Sequence, residues 1–293
     1  MSENSVTQVN LYKVLRDGKS CHGGSLTWPL PTQRDDGSWT PGEWVKLDNR
    51  RKLALCENAI HLTDQPASWY LPDAQCWLAE YRGETSGELS GRWGSKIGVR
   101  KARLLRPVAW DDVAVWSSGD HTLRTGVGRA YDSATVRASD SATVRAYDSA
   151  TVEASGSATV EASGSATVRA YDSATVEASG SATVEASDSA TVRASGSATV
   201  EASGSATVRA SDSATVRAYD SATVRASGSA TVEASGSATV RASDSATVRA
   251  YDSATVVSTL WHSDSAQVAL NQMAAHVDRR GGKVVCRVAE AAS

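Results

Sequence analysis

The chain has 293 residues, with 30 Lys and Arg against 33 Asp and Glu and a formal net charge of −3. That length suits about two domains, and the charge excludes the basic footprint that marks a nucleic-acid-binding surface. No run approaches the roughly 20 apolar residues of a membrane span, and the polar start Met1-Ser2-Glu3-Asn4-Ser5 leads into no apolar secretory segment.

Composition divides the chain. All six prolines lie between Pro29 and Pro107, and eight of the nine tryptophans between Trp28 and Trp116. Residues 1–116 therefore read as an aromatic-cored domain. Within it, 9–15 has strand character and stops at Asp17-Gly18, and Asp35-Asp36-Gly37 marks a turn. Lys52–Leu62, Ala74–Tyr81, Lys96–Leu105 and Val113–Trp116 are further strand candidates, and Thr63 is placed to cap a short helix through Trp69 and Tyr70. The expected architecture is a β-rich α+β domain.

Cys21, His22, Cys56, His61 and Cys76 are this domain's candidate metal ligands, since thiols and imidazoles are what zinc takes. Their spacing matches no standard knuckle: there is no C-x-x-C, and adjacent Cys21 and His22 seldom share an ion. Buried small cysteines and a hydrogen-bonded histidine are the plainer reading, so no cofactor is expected, with zinc the alternative. A Cys/His nucleophile pair is a further alternative. The four cysteines, Cys286 included, are too scattered for a disulfide framework, which points to a reducing compartment. Trp28, Trp39, Trp44, Trp69 and Trp77 suit a core, or a sugar-binding platform.

The segments Leu11-Tyr12-Lys13, Ser20-Cys21-His22-Gly23-Gly24, Pro41-Gly42-Glu43-Trp44, Leu55-Cys56, Ile60-His61-Leu62-Thr63, Glu80-Tyr81-Arg82-Gly83 and Lys101-Ala102-Arg103-Leu104 resemble a domain of unknown function. That domain occurs in phage-encoded and actinobacterial proteins, often ahead of short Ala/Ser/Thr-rich repeats. The resemblance covers about residues 9–107 and the style of the repeat. It implies architecture and a phage or prophage setting, and no chemistry. A fainter likeness is to ADP-ribosyltransferase folds, in which an early Tyr-bearing strand precedes a G-h-H/Y-h-T strand and a short helix. It would make Tyr12, His61 and Thr63 binding residues. Ala59 departs from the glycine of that pattern, and no catalytic glutamate can be placed.

Residues 117–131, with Ser117-Ser118-Gly119-Asp120 and Gly126-Val127-Gly128, read as a linker and solenoid cap. From Asp132 to Thr259 run sixteen octads of the form D/G-S-A-T-V-R/E-A-S/Y, decaying in the last to Val257-Ser258-Thr259. A fixed short period means one unit stacked many times. Ala134, Val136 and Ala138 share one parity, while Ser133, Thr135, Arg137 and Ser139 share the other, as in a half-buried strand. The sixth position is Arg or Glu in fifteen of sixteen octads, so that face is wet and Ala-Val-Ala points inward. The opening Asp or Gly suits a corner.

Two or three octads must make one rung. With two, sixth positions stack as Arg137, Glu153, Arg169, Glu185, Glu201, Arg217, Glu233, Arg249 and as Arg145, Glu161, Glu177, Arg193, Arg209, Arg225, Arg241. Eight of the thirteen neighbours are then opposite in sign, against four of twelve for three octads. The fold class expected is therefore mainly β: the N-terminal domain followed by a flattened two-sheet parallel β-solenoid of about eight rungs, 16 residues each.

Arg at the sixth position is followed three residues later by Asp, and Glu by Gly, in twelve of fifteen cases; local charge compensation accounts for this. Tyr131, Tyr147, Tyr171, Tyr219 and Tyr251 occur only in Arg-Ala-Tyr-Asp and are positioned to stack on a neighbouring guanidinium. Copying of whole blocks accounts for them equally. Residues 260–293 read as the C-terminal cap. Leu270, Met273, Ala274 and Val277 recur at helical spacing, predicting a short helix over about 265–279, with Ser263 or Asp264 at its N-cap. The octad echo Asp264-Ser265-Ala266-Gln267-Val268 suggests a final strand there instead. Lys283–Val288 reads as a closing strand.

A surface made of copies carries no unique catalytic constellation. The leading expectation is a non-enzymatic structural or interaction protein, cytoplasmic or virion-associated. Its solenoid would be a rigid spacer or docking surface displaying Thr135, Arg137, Tyr147, Tyr171, Tyr219, Tyr251 and their copies. The N-terminal domain would be an anchor. The partner would be a protein or a second copy, not nucleic acid or a membrane. Ice binding through Ser/Thr arrays is one alternative; an ADP-ribosyltransferase-like or metal-dependent activity in the N-terminal domain is another.

Overall fold

The computed structural model describes residues 10–20, 26–48, 52–54, 59–89, 96–260, 267–270, 275–280 and 283–288. The chain forms two compact units, one of residues 1–115 with 126–128 and one of the remainder. Among the described residues no helix is long and apolar enough to cross a membrane.

The first unit is built of short strands around one long hairpin. Its strands are β1 (Leu11–Arg16), β2 (Lys19–Ser20), β3 (Thr32–Gln33), β4 (Trp39–Thr40), β5 (Val45–Lys46), β6 (Ile60–Leu62), β7 (Gln75–Ser86) and β8 (Ile97–Val108). The main sheet runs β2-β1-β7-β8-β5, with β6 also on β8 and β3 paired with β4 apart. Asp17 and Gly18, both at positive φ (50° and 72°), make the tight turn between β1 and β2. β8 extends past its expected end through Pro107, which pairs with Trp77 of β7. The missing N–H is tolerated because β5 and β6 cover only residues 97–102 on the other side of β8. Alternation sorts the side chains. Leu11, Leu15, Trp28, Ile60, Leu62, Trp77, Val99 and Leu104 form the main core, and Cys76, Val108 and Val113 a smaller one on which Tyr12 and Trp110 pack.

Two expectations need correction here. Of the strand expected over Lys52–Leu62 only Ile60–Leu62 is extended; 55–58 lie outside the described residues. The helical turn after Thr63 is a 3-10 helix, Pro66–Trp69, that follows Gln65 without a side-chain cap. Proline at its first position has no N–H to satisfy, and the Thr63 hydroxyl instead accepts from the Gln65 amide at 3.0 Å.

The second unit is a parallel β-solenoid. After β9 (Val115–Trp116), β10 (Asp120–Leu123) and β11 (Val127–Ala130) come fifteen four-residue strands at eight-residue intervals, β12 (Thr135–Ala138) to β26 (Thr247–Ala250). Even-numbered strands form one sheet and odd-numbered strands the other. Each repeat strand pairs in parallel with the one two octads on, as Thr135 with Thr151 and Val136 with Val152. The rung is therefore 16 residues, as the charge columns require.

Every inward Ala and Val of the repeat is at most 3 % exposed. With so little side-chain volume inside, the backbone ladder carries much of the order. It runs through strands (Thr151 N to Ala134 O, 2.9 Å) and corners (Ser157 N to Asp140 O, 3.0 Å). Each corner is a turn closed by the third position's amide, as Ala134 N to Tyr131 O at 3.0 Å. Its opening residue sits in the left-handed region, φ 48° to 67° in all sixteen octads. That requirement is why the position is always Asp or Gly.

Outside the repeat the rung length changes. Asp120 pairs with Thr135, a 15-residue step, and Thr247 pairs with Gln267, a 20-residue step. The closing strands are β27 (Thr255–Leu260), β28 (Gln267–Leu270), β29 (Ala275–Arg280) and β30 (Lys283–Val288). The helix predicted over about 265–279 does not form at Gln267–Leu270 or Ala275–Arg280, which are strands; Met273 and Ala274 lie outside the described residues. An open sheet edge offers a full row of unpaired backbone groups, whereas an isolated short helix is marginal. β29 takes that edge in parallel with β27, and antiparallel β30 ends the stack, the closing strand read from the sequence.

Candidate functional site

Two concavities hold the candidate residues, one in each unit. The first, about 140 Å³, is lined by Tyr12, Lys13, Val14, Ser20, His61, Leu62, Thr63, Trp69 and Lys96. Tyr12 and Thr63 are brought together by backbone, Tyr12 N to Thr63 O at 2.7 Å and Thr63 N to Tyr12 O at 3.1 Å. The three residues singled out by the transferase-like pattern thus share one pocket. Lys13 is the residue that sequence reasoning missed. It shares the parity of Leu11 and Leu15 on β1 and is buried with them. Its ammonium donates to Ser20 Oγ at 3.1 Å and His61 O at 3.2 Å and lies 5.6 Å from the Trp28 ring centre. A lysine on the inward parity of a strand was the available signal. Lys96 sits over Trp69 at 4.9 Å.

Burial, reinforced by the Lys96 and Lys13 charges, pushes His61 down to about 4, so its imidazole is neutral at neutral pH. Burial likewise raises the Tyr12 phenol. A neutral imidazole can accept a proton or bind an electrophile. The other expected ligand, Cys76, is enclosed in the smaller core instead of the pocket, and burial pushes its thiol up to about 12. At neutral pH the enclosed thiol stays protonated, as in a structural cysteine. Cys21, His22 and Cys56 lie outside the described residues; among those described, no three potential metal ligands come together. Trp28 and Trp77 are core, and Trp44 carries Arg82, Arg103 and Lys101 at 4.7, 4.8 and 4.9 Å from its ring centre.

The second concavity is a groove of about 900 Å³ on the odd-numbered sheet, starting at Tyr147 and reaching Ser243. It lies between the column of sixth positions and the column of serines at the eighth. On the even-numbered sheet the equivalent space is about 250 Å³, bounded by Tyr171 and Tyr219. Tyrosine at the eighth position fills the groove and serine opens it. The odd-numbered sheet has tyrosine only at Tyr131 and Tyr147, which stack on each other with ring centres 4.9 Å apart and planes 13° off parallel. That ring-on-ring contact replaces the guanidinium stacking expected at this pair. Tyr171 and Tyr219 stand exposed, two rungs before Tyr251 in the case of Tyr219.

Charges stack as the columns predict. On the even-numbered sheet all six opposite neighbours are ion-paired: Arg137–Glu153, Glu153–Arg169, Arg169–Glu185, Glu201–Arg217, Arg217–Glu233 and Glu233–Arg249, at 3.0 to 3.8 Å. The odd-numbered sheet has two, Arg145–Glu161 at 3.2 Å and Glu177–Arg193 at 2.8 Å. Above Arg193 come Arg209, Arg225 and Arg241 on successive rungs, with no acid between them in the column. The corner aspartates answer to the backbone: Asp172, Asp212 and Asp244 accept from the amides of Gly156, Gly196 and Gly228, one rung earlier, at 3.0 to 3.1 Å. Thr135 and Arg137 face outward on β12, as expected.

Compared with family models, with curated proteins and with solved structures, the chain matches none.

Proposed function

We propose that the chain is a non-enzymatic interaction protein whose solenoid is a docking surface and spacer, with the N-terminal domain as anchor. The phage or prophage setting rests on the sequence resemblance. One observation carries the reading: the 900 Å³ groove is built from repeated Arg, Glu, Ala and Ser, with one Tyr and no Cys or His. Such a surface recognises by repetition and charge, and it holds no acid, base or nucleophile set apart from its copies.

The transferase-like alternative is favoured by the meeting of Tyr12, His61 and Thr63. Against it, a cavity of about 140 Å³ falls well below the roughly 300–1,000 Å³ of sites for drug-sized ligands, and NAD is larger still. Ice binding is disfavoured because the ion-paired column runs beside the outward threonines on the same faces, and charge holds water in its own order.

Limited proteolysis of the full chain should leave a resistant fragment spanning 132–259, and the protein should not consume NAD. A digest with no such fragment removes the docking surface. NAD turnover that disappears in His61→Gln would replace this reading with the enzymatic one.

A further inference from the structure

We infer that the groove of the odd-numbered sheet binds a linear acidic polysaccharide, its negative groups held by the column Arg209, Arg225 and Arg241. This rests on the docking reading above and names the chemistry of the partner.

The sixth-position column on the even-numbered sheet is closed on itself by six ion pairs. On the odd-numbered sheet Arg193 is held by Glu177, and the next three rungs add three exposed arginines with no glutamate to alternate with them. Stacked like charges about 4.8 Å apart repel, and a row of anions relieves them. The nearest corner acids, Asp212 and Asp244, accept from the amides of Gly196 and Gly228; Asp244 also lies 3.5 Å from the Ser243 hydroxyl at the end of the groove.

The other side of the groove fixes the occupant further. Ser179, Ser195, Ser211, Ser227 and Ser243 all direct their hydroxyls along the stack to a carbonyl one rung earlier, at 3.4 to 3.5 Å. Their lone pairs are left to accept hydrogen bonds from whatever lies in the groove. The fitting ligand is a linear polymer that presents acids to the arginines and hydroxyl donors to the serines. Linked uronic acids carry both groups on every ring, the acid returning to one edge as the chain turns.

Other polyanions fit less well. An extended acidic peptide relies on its main chain for much of its affinity, and finds no partner for it on a face whose amides are spent in the ladder. Single-stranded nucleic acid gains affinity from aromatic platforms, and the groove has only Tyr147 at one end. The other sheet of a second copy is a poor source of acids, because its adjacent Glu185 and Glu201 are already held by Arg169 and Arg217 at 3.0 Å.

The test is calorimetric titration of the full chain with size-fractionated polygalacturonate, against neutral dextran, polyglutamate and oligo-dT. Arg225→Glu is the key variant, because it recreates on this sheet the Arg–Glu–Arg order of Arg217, Glu233 and Arg249. Its fold should therefore survive, which the urea midpoint checks. Polygalacturonate should bind and dextran should not. Affinity should drop at least about tenfold in Arg225→Glu, and comparably as NaCl rises from about 50 to about 200 mM. Arg249→Gln, on the other sheet, should leave it unchanged. No binding at low salt, binding indifferent to Arg225→Glu in a folded variant, or tighter binding of polyglutamate or DNA overturns the inference. Any of these alongside a protease-resistant 132–259 fragment leaves the docking reading standing; loss of that fragment removes both.

Discussion

His61 shows how one side chain couples position to pH. It lies on a three-residue strand between buried Ile60 and Leu62, and burial, then Lys96 and Lys13, hold its folded value at about 4 against the usual 6.5. The unfolded chain therefore binds a proton that the folded chain refuses between those values. Stability from this group is complete above pH 6.5, is lost as pH falls toward 4, and changes no further below that. Urea midpoints followed by tryptophan fluorescence, which reports mainly residues 28–116, should fall between about pH 7 and about pH 5, a range in which ordinary carboxylates stay ionised. His61→Gln should flatten that fall. A slope that persists in the variant assigns it elsewhere. The pocket around His61 was only half legible in the sequence. Tyr12, His61 and Thr63 were visible as a pattern, but the bridge that joins β1 to β6 spans about fifty residues of intervening chain, and no local rule encodes it. Lys13 was hidden by its type, since lysine is seldom buried.

The octad is an element whose conformation each residue specifies locally, which is why its strands, inward face and corners were all readable. Asp and Gly reach the left-handed corner by different routes, Gly for want of a Cβ and Asp by carboxylate hydrogen bonding. Asp172 does both jobs, sitting at φ 54° while Oδ2 accepts from the Gly156 amide at 3.0 Å. Asp172→Asn keeps the conformational tolerance and an acceptor, and should change stability by less than about 0.5 kcal/mol. Asp172→Ala loses the hydrogen bond and the polar side chain that offsets the left-handed backbone, costing about 1–2 kcal/mol. Asp172→Gly should fall between them. Chemical denaturation of the three variants decides the matter: equal midpoints for Ala and Asn would mean that the carboxylate contributes nothing at the corner. In the C-terminal cap the helix reading failed and the final-strand reading held at Gln267–Leu270, for the complementary reason. At Leu270 and Val277 the spacing is compatible with a helix, and what decides are the unpaired edges of β26 and β27, partners remote from the local pattern; the octad echo ending at Gln267-Val268 was the signal for the first of these strands. The corner aspartates' acceptor role was not legible, because the partner is an amide 16 residues earlier.

At the scale of the whole chain, folding the solenoid needs only the octad, whereas its charge columns need pairs of octads. The two requirements can be separated by deletion. Removing 180–195 takes out one full rung and leaves the octad phase intact at Ser179–Gly196. Glu185 and Arg193 go with it, so Arg169 then faces Glu201 and Glu177 faces Arg209, and eight of eleven stacked neighbours are opposite in sign. Removing 180–187 alone also preserves the octad phase, but it moves every later strand to the other sheet. Arg169 then meets Arg193 and Glu177 meets Glu201, leaving six of twelve opposite, against eight of thirteen in the natural chain. Both deletions should fold, because Ala-Val-Ala faces inward from either sheet and repeat units contribute nearly additively. They should differ in their response to salt, since screening weakens attraction and repulsion alike. Between low and high NaCl the 16-residue deletion should lose the most stability, the natural chain less, and the 8-residue deletion least or none, with differences on the order of tenths of a molar in the urea midpoint. If all three respond alike, the stacked arginines and glutamates do not act on one another, and their alternation in the even-numbered sheet is inherited from copying alone. If the order holds, the unalternated run from Arg193 to Arg241 is a cost carried within the fold, and a bound anion has something to relieve.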